Sequence, residues 1–111
     1  MNHLSEKEIS AIRLLYNNTK DLLKIKKMIL FGSKARGDFE EYSDIDILVL
    51  TEKEKSPKDR RILSDVSADI SIDNDVLLSC LYFNETDWET GNNINPLFKM
   101  NVEKEGIEIE L

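Results

Sequence analysis

The amino-acid sequence predicts an α/β fold, and three observations predict it. Short, largely apolar runs at 28–31, 45–50 and 75–83 have the length and composition of buried strands. Between and around them lie stretches whose apolar residues return at helical spacing. Caps and breakers mark the changes of element: Ser5, Gly32, Pro57, Asn84, Pro96 and Gly106. The 111 residues are close to the usual size of one domain, so residues 1–111 are expected to form a single domain around a moderate core.

The elements follow in order. Ser5-Glu6-Lys7-Glu8 reads as a capping box, and Ile9, Ile12, Leu15 and Tyr16 then recur at helical spacing. A first helix is predicted over 5–24, with Leu22 and Leu23 in its final turns. Met28-Ile29-Leu30-Phe31, ended by Gly32-Ser33, suits a central strand covered on both faces. Ser33 to Arg36 starts a short helix that Gly37 stops, residues 38–43 form a polar loop, and Ile45 to Leu50 is a second strand. Residues 51–56 are a charged connection. Pro57 then sits in the first turn of a helix whose stripe is Ile62, Leu63, Val66 and Ile70, ending near Ile72. A third strand is predicted over 75–83. Asn84 begins a short helical turn carrying Trp88, and 91–95 is loop. Asn95-Pro96 caps a further helix through about Glu105, stopped by Gly106, and Ile107 and Ile109 alternate with glutamates as in a short edge strand. Trp88, Leu97 and Phe98 read as a satellite of the core.

Charge and cysteine content exclude several classes. Fifteen Lys and Arg against 22 Asp and Glu leave a net charge of -7, which opposes a broad nucleic-acid surface, because such binding draws its strength from neutralised phosphates. Free nucleic acid is therefore not expected as a partner. Lys24, Lys26, Lys27, Lys34 and Arg36 nevertheless crowd around the glycine turn, a location that suits a phosphate-bearing small molecule. The first three read as a solvated helix end. Cys80 stands alone in an apolar run, so it reads as an inert core thiol, without a disulfide framework or a Cys-based zinc site. No run approaches the roughly 18 apolar residues of a membrane span, and the first residues are polar and acidic. The expectation is a cytoplasmic chain with no membrane partner.

The chemistry concentrates at two places. On a strand, Asp44 and Asp46 project from one face and their carboxylates repel. Such a pair either shares a proton through one raised pKa or accepts a hard cation, and magnesium is the economical answer. Asp75 opens the next predicted strand, about 5 Å away if the strands are neighbours, and would complete a three-carboxylate site; Asp73 competes for that role. Two magnesium ions bridged by these groups would activate a hydroxyl and hold departing pyrophosphate. Gly32 permits close backbone approach, and Ser33 with the following amides can donate to phosphate oxygens, a cradle for a nucleoside triphosphate. Lys34 and Arg36 stand just beyond, placed to neutralise its outer phosphates, with Arg36 offering the bidentate fork.

Gly32-Ser33-Lys34-Ala35-Arg36-Gly37 followed by Ser43-Asp44-Ile45-Asp46 resembles the signature of the polymerase-beta-like minimal nucleotidyltransferases (MNT): Gly-Ser, ten intervening residues, then Asp-x-Asp. The resemblance implies metal binding by Asp44 and Asp46 and phosphate binding by Gly32 and Ser33, and it carries the family's third carboxylate to Asp75. It also implies the nucleotidyltransferase fold, a mixed β-sheet backed by helices. Small bacterial members accompany HEPN-domain ribonucleases as antitoxins, and similar members imply transfer of AMP from ATP, or of a nucleotidyl group from another triphosphate, onto a toxin tyrosine. The acidic balance agrees with a basic, RNA-binding protein acceptor. Two alternatives stand beside it: a small-molecule acceptor, as in the aminoglycoside-modifying relatives, and a catalytically silent module that masks a toxin surface. The tail from Trp88 onward departs from the shortest family pattern.

Overall fold

The first helix, α1 (Glu6–Leu23), starts where its capping box places it. The Glu8 amide donates to the Ser5 hydroxyl at 3.1 Å, and the Ser5 amide donates to the Glu8 carboxylate at 2.9 Å. Two donors that the first turn would otherwise leave unpaired are thus satisfied. The computed structural model describes residues 3–40, 43–54 and 56–110. Residues 41 and 42 of the expected polar loop, and residue 55 of the expected charged connection, lie outside them.

Lys24 closes α1 in the left-handed conformation, φ 56°, and strand β1 (Ile25–Phe31) follows at once, three residues ahead of the apolar run that predicted it. Lys26 and Lys27 consequently sit on the strand and not on a helix end, paired with Glu52 at 3.4 Å and Glu108 at 3.2 Å. The chain then passes through α2 (Ser33–Arg36), β2 (Ile45–Thr51) and α3 (Pro57–Asn74). It continues through β3 (Leu78–Asn84), α4 (Glu85–Thr90), α5 (Pro96–Glu105) and β4 (Ile107–Glu108). The four strands lie in the order β3-β2-β1-β4, with β2 and β3 parallel and the other pairs antiparallel. The mixed sheet follows from the connections: parallel β2 and β3 require a long crossover, which α3 supplies.

The continuous apolar character of β2 has its explanation in the two layers that cover the sheet. Met28, Leu30, Ile45, Ile47, Val49 and Tyr82 point to one face and pack with Ala11, Ile12 and Leu15 of α1 and Leu63 and Ile70 of α3. The alternate residues, Ile29, Phe31, Leu48, Leu50 and Phe83, point to the other face and pack with Trp88, Ile94, Phe98 and Val102. The tail therefore builds a second core, with Phe98 edge-on to both Phe31 and Trp88. Trp88 and Phe98 join it as expected, whereas Leu97 is 61% exposed and does not. Ile109, just past β4, is buried, and its amide donates to the Met28 carbonyl at 2.9 Å.

The third strand begins at Leu78 and not at Asp75, because α3 runs on to Asn74. The Ser71 carbonyl accepts from the amides of Asp75 and Val76, and the Ser71 hydroxyl accepts from the Leu78 amide at 3.1 Å. One serine thereby closes the helix and docks the start of the strand. Among the described residues no helix is long and apolar enough to cross a membrane.

Candidate active site

Two segments meet at one end of the sheet. At the end of β1, Gly32 adopts φ 74° and ψ −157° and caps α2, its carbonyl accepting from the amides of Ala35 and Arg36, each at 3.1 Å. Gly37, at φ 88°, closes that single turn through its amide to the Ser33 carbonyl at 2.8 Å. The amides of Ser33 and Lys34 precede the first donors the helix can use, so the turn itself supplies them no acceptor. A Cβ placed on Gly32 would lie 3.1 Å from Cγ of Asp46 and closer still to its Oδ2. The glycine turn and the β2 carboxylate therefore line one cleft, and only the missing side chain leaves room between them.

Within β2, Asp46 is paired with Phe31 on one side and with Ser79 of β3 on the other, on the face that carries the second core. Asp44, two residues earlier and exposed, lies just before the strand. Burial pushes the Asp46 carboxyl above its ordinary value, Asp44 pushes it further, and Arg36 pulls it back. The three charged groups thus sense one another, and the pair carries the repulsion anticipated for it. Two adjacent carboxylates beside a glycine cradle fit a hard divalent cation shared with a triphosphate, which would supply the missing oxygens and relieve that repulsion.

Arg36 extends from α2 with its Nε 3.1 Å from Asp38 and its Nη1 3.3 Å from Glu105 of α5. Bonds to these carboxylates hold its guanidinium firmly protonated, and its side chain is partly exposed beside the cleft. Lys34 behaves differently from the expectation. It is buried, its Nζ 3.0 Å from Glu8 and 4.0 Å from the centre of the Phe39 ring, so it ties α2 to α1 instead of facing the cleft. Burial raises the Glu8 carboxyl, but bonds from the Ser5 amide and from Lys34 outweigh it and leave the group below its usual value.

Asp75 is the larger correction. It caps α3 in the left-handed conformation, φ 52°, with its side chain 97% exposed and 3.4 Å from Lys7. Asp73 lies within α3, also exposed. Among the described residues no three carboxylate, His or Cys side chains come together as a metal site. The expected pair of bridged magnesium ions rests on three carboxylates, and among the described residues the structure brings two to the cleft. Asp75 directly precedes an apolar run, which is the local pattern of a strand's head. A short polar side chain that tolerates the left-handed conformation is an equally good helix stop, and only the fold chooses between them. Ser79 and Glu105, which flank Asp46 and Arg36, carried no local signal. Cys80 faces the opposite core, and burial pushes its thiol up to about 12, in keeping with an inert role.

Comparison with known proteins gives this geometry its family. Residues 12–109 match the model of the nucleotidyltransferase domain. A Methanocaldococcus jannaschii protein named for protein adenylyltransferase activity is 33% identical over 86 residues, covering 78% of this chain and 80% of its own. A second protein of that organism, with the same kind of name, is 53% identical over 45 residues, or 39% of this chain and 45% of its own. A crystal structure of a toxin-antitoxin with AMP-PNP superposes with a TM-score of 0.64 at 20% identity, over 94% of this chain and 72% of that one. A solved minimal nucleotidyltransferase superposes with a TM-score of 0.61 at 22% identity, over 98% of this chain and all of that one. A chain of the complex between tri-AMPylated Shewanella oneidensis HEPN toxin and MNT antitoxin gives 0.54 at 20% identity, covering 92% and 67%. At these identities the structural likeness shows the fold, and the fold is the nucleotidyltransferase fold implied by the sequence. With a family model spanning nearly the whole chain, and a glycine turn set against an aspartate pair in one cleft, the protein belongs to the nucleotidyltransferase domain family and is a nucleotidyltransferase.

Proposed function

We propose that the chain transfers AMP from ATP, with magnesium, to a hydroxyl of a partner protein, a tyrosine of a HEPN-type toxin whose action is thereby blocked in the cytoplasm. The observation that carries the reading is the Gly32–Asp46 juxtaposition, in which a Cβ would fill the space a triphosphate and its metal need. In the transfer, the acceptor oxygen bonds to the α-phosphorus, the bridging bond to the β-phosphate breaks, pyrophosphate leaves and the hydroxyl proton passes to solvent. A bound divalent cation supplies charge neutralisation at the reacting phosphate and fixes its geometry. Asp44 and Asp46 hold that cation, Gly32 and the amides of Ser33 and Lys34 receive phosphate oxygens, and Arg36 faces the charge that develops on pyrophosphate. The protein acceptor is supported by the names of the M. jannaschii relatives, by the HEPN–MNT complex among the structural neighbours and by the net charge of -7, which complements a basic partner.

The test is incubation with ATP labelled in its α-phosphate, magnesium and a candidate HEPN partner. Label should appear on the partner and vanish with Asp44→Asn, with Asp46→Asn, or when the acceptor tyrosine is changed to Phe. That no third carboxylate among the described residues joins the aspartate pair favours a second reading, masking without transfer. Inhibition of the partner without label, undiminished by Asp44→Asn and Asp46→Asn, would establish masking and refute transfer.

A further inference from the structure

The parallel pairing of β2 and β3 decides which side chain of β3 stands beside the aspartates. Ile45 is level with Leu78, Asp46 with Ser79 and Ile47 with Cys80. Residues level with one another across a parallel pair project to the same face, about 5 Å apart. Ser79 is therefore the one β3 side chain that projects next to Asp46, while Cys80 turns into the opposite core. From the register we infer that, with a triphosphate bound, this cleft holds one divalent ion per chain, because a serine stands where a third carboxylate would create a second ion site.

The coordination chemistry of the groups present leads to that count. An ion lodged between the triphosphate and the aspartate pair draws oxygens from both and needs no further protein ligand. A second ion, on the acceptor side, would have to share Asp44 and Asp46 with the first and take its remaining charge from another protein oxygen. Ser79 offers a neutral hydroxyl, which compensates little of a second dication's charge. Asp75 cannot replace it, being the exposed cap of α3 engaged with Lys7, and no other carboxylate among the described residues completes a group of three. The acceptor hydroxyl is consequently presented to the α-phosphate without an ion of its own. This inference rests on the triphosphate reading of the cleft.

Manganese tests it, since it replaces magnesium and is visible by electron paramagnetic resonance. The full chain is dialysed against Mn2+ and AMP-PNP, protein-bound manganese is counted, and the spectrum of the bound ions is recorded. The wild type is expected to bind one ion with the spectrum of an isolated centre. Ser79→Asp is expected to bind two, with the exchange coupling of ions roughly 4 Å apart. Ser79→Ala should keep the count at one, and unfolding curves establish that each variant folds. Two coupled ions in the wild type would overturn the inference and leave the proposed transfer standing. So would a folded Ser79→Asp that still binds one; if that variant does not fold, the wild-type count alone decides. No bound ion in the wild type, with a count indifferent to Asp46→Asn, would overturn the triphosphate site as well.

Discussion

Gly32→Ala should destabilise the protein by about 2–3 kcal/mol, far more than the same change at Gly91. At φ 74° and ψ −157°, Gly32 occupies backbone space open essentially to glycine, where another residue costs about 1–3 kcal/mol. The new Cβ would also press on the Asp46 carboxylate, with Cγ at 3.1 Å, and turning that side chain away costs about 1 kcal/mol. Against this, alanine restricts the unfolded chain, offsetting roughly 0.4–1 kcal/mol. Gly91 provides the internal control. Its φ of 75° and ψ of 15° are ordinary left-handed values, and a Cβ there would meet only Lys99 Cδ, at 3.8 Å. Its net cost should be about 1 kcal/mol or less. Urea unfolding followed by the fluorescence of Trp88, the single and buried tryptophan, measures both. With a slope of about 1–3 kcal/mol/M, the Gly32→Ala midpoint should fall by about 1 M or more. If the two variants lose equal stability, Gly32 is not crowded against Asp46, and the turn and the carboxylate do not share one cleft.

Three further outcomes follow from the same structure. Asp46 has a raised carboxyl, so its contribution is fully favourable below its usual value of 3.8 and is lost as pH rises through the folded one. With metal removed at pH 7, Asp46→Asn should therefore melt higher than the wild type; magnesium at a hundredfold over its Kd should stabilise the wild type by about 2.7 kcal/mol and leave the variant unmoved. Glu8 has the opposite sign: its lowered carboxyl contributes stability above its usual 4.5, lost as pH falls through the folded value. Glu8→Gln should remove that part of the acid transition and, by leaving Lys34 buried without its carboxylate, cost about 3 kcal/mol at neutral pH, readable from urea curves at several pH values. Leu48, fully buried in the second core, should cost about 3 kcal/mol as Leu48→Ala, whereas Leu97→Ala, on the same side of the molecule but 61% exposed, should change stability by about 0.5 kcal/mol at most in the same denaturation assay.

Much of the site was legible because its signals are local. The capping box at Ser5, the helix stop at Gly37 and the two apolar strands each follow from neighbouring residues, and the spacing from Gly32-Ser33 to Asp44 and Asp46 is a property of the chain itself. Those features determined the α/β class, the family and the pairing of a glycine turn with two carboxylates. The tertiary structure decided what depends on which residues become neighbours. It lengthened α3 so that Asp75 became a helix cap, and it set the register that puts Ser79 beside Asp46. It also drew Lys34 into a buried pair with Glu8 and folded the tail from Trp88 into a second core. Each of these is a choice between local roles the residue can fill equally well, and the energy that settles it comes from partners distant in the chain: a strand edge, an opposing charge, an apolar face needing cover.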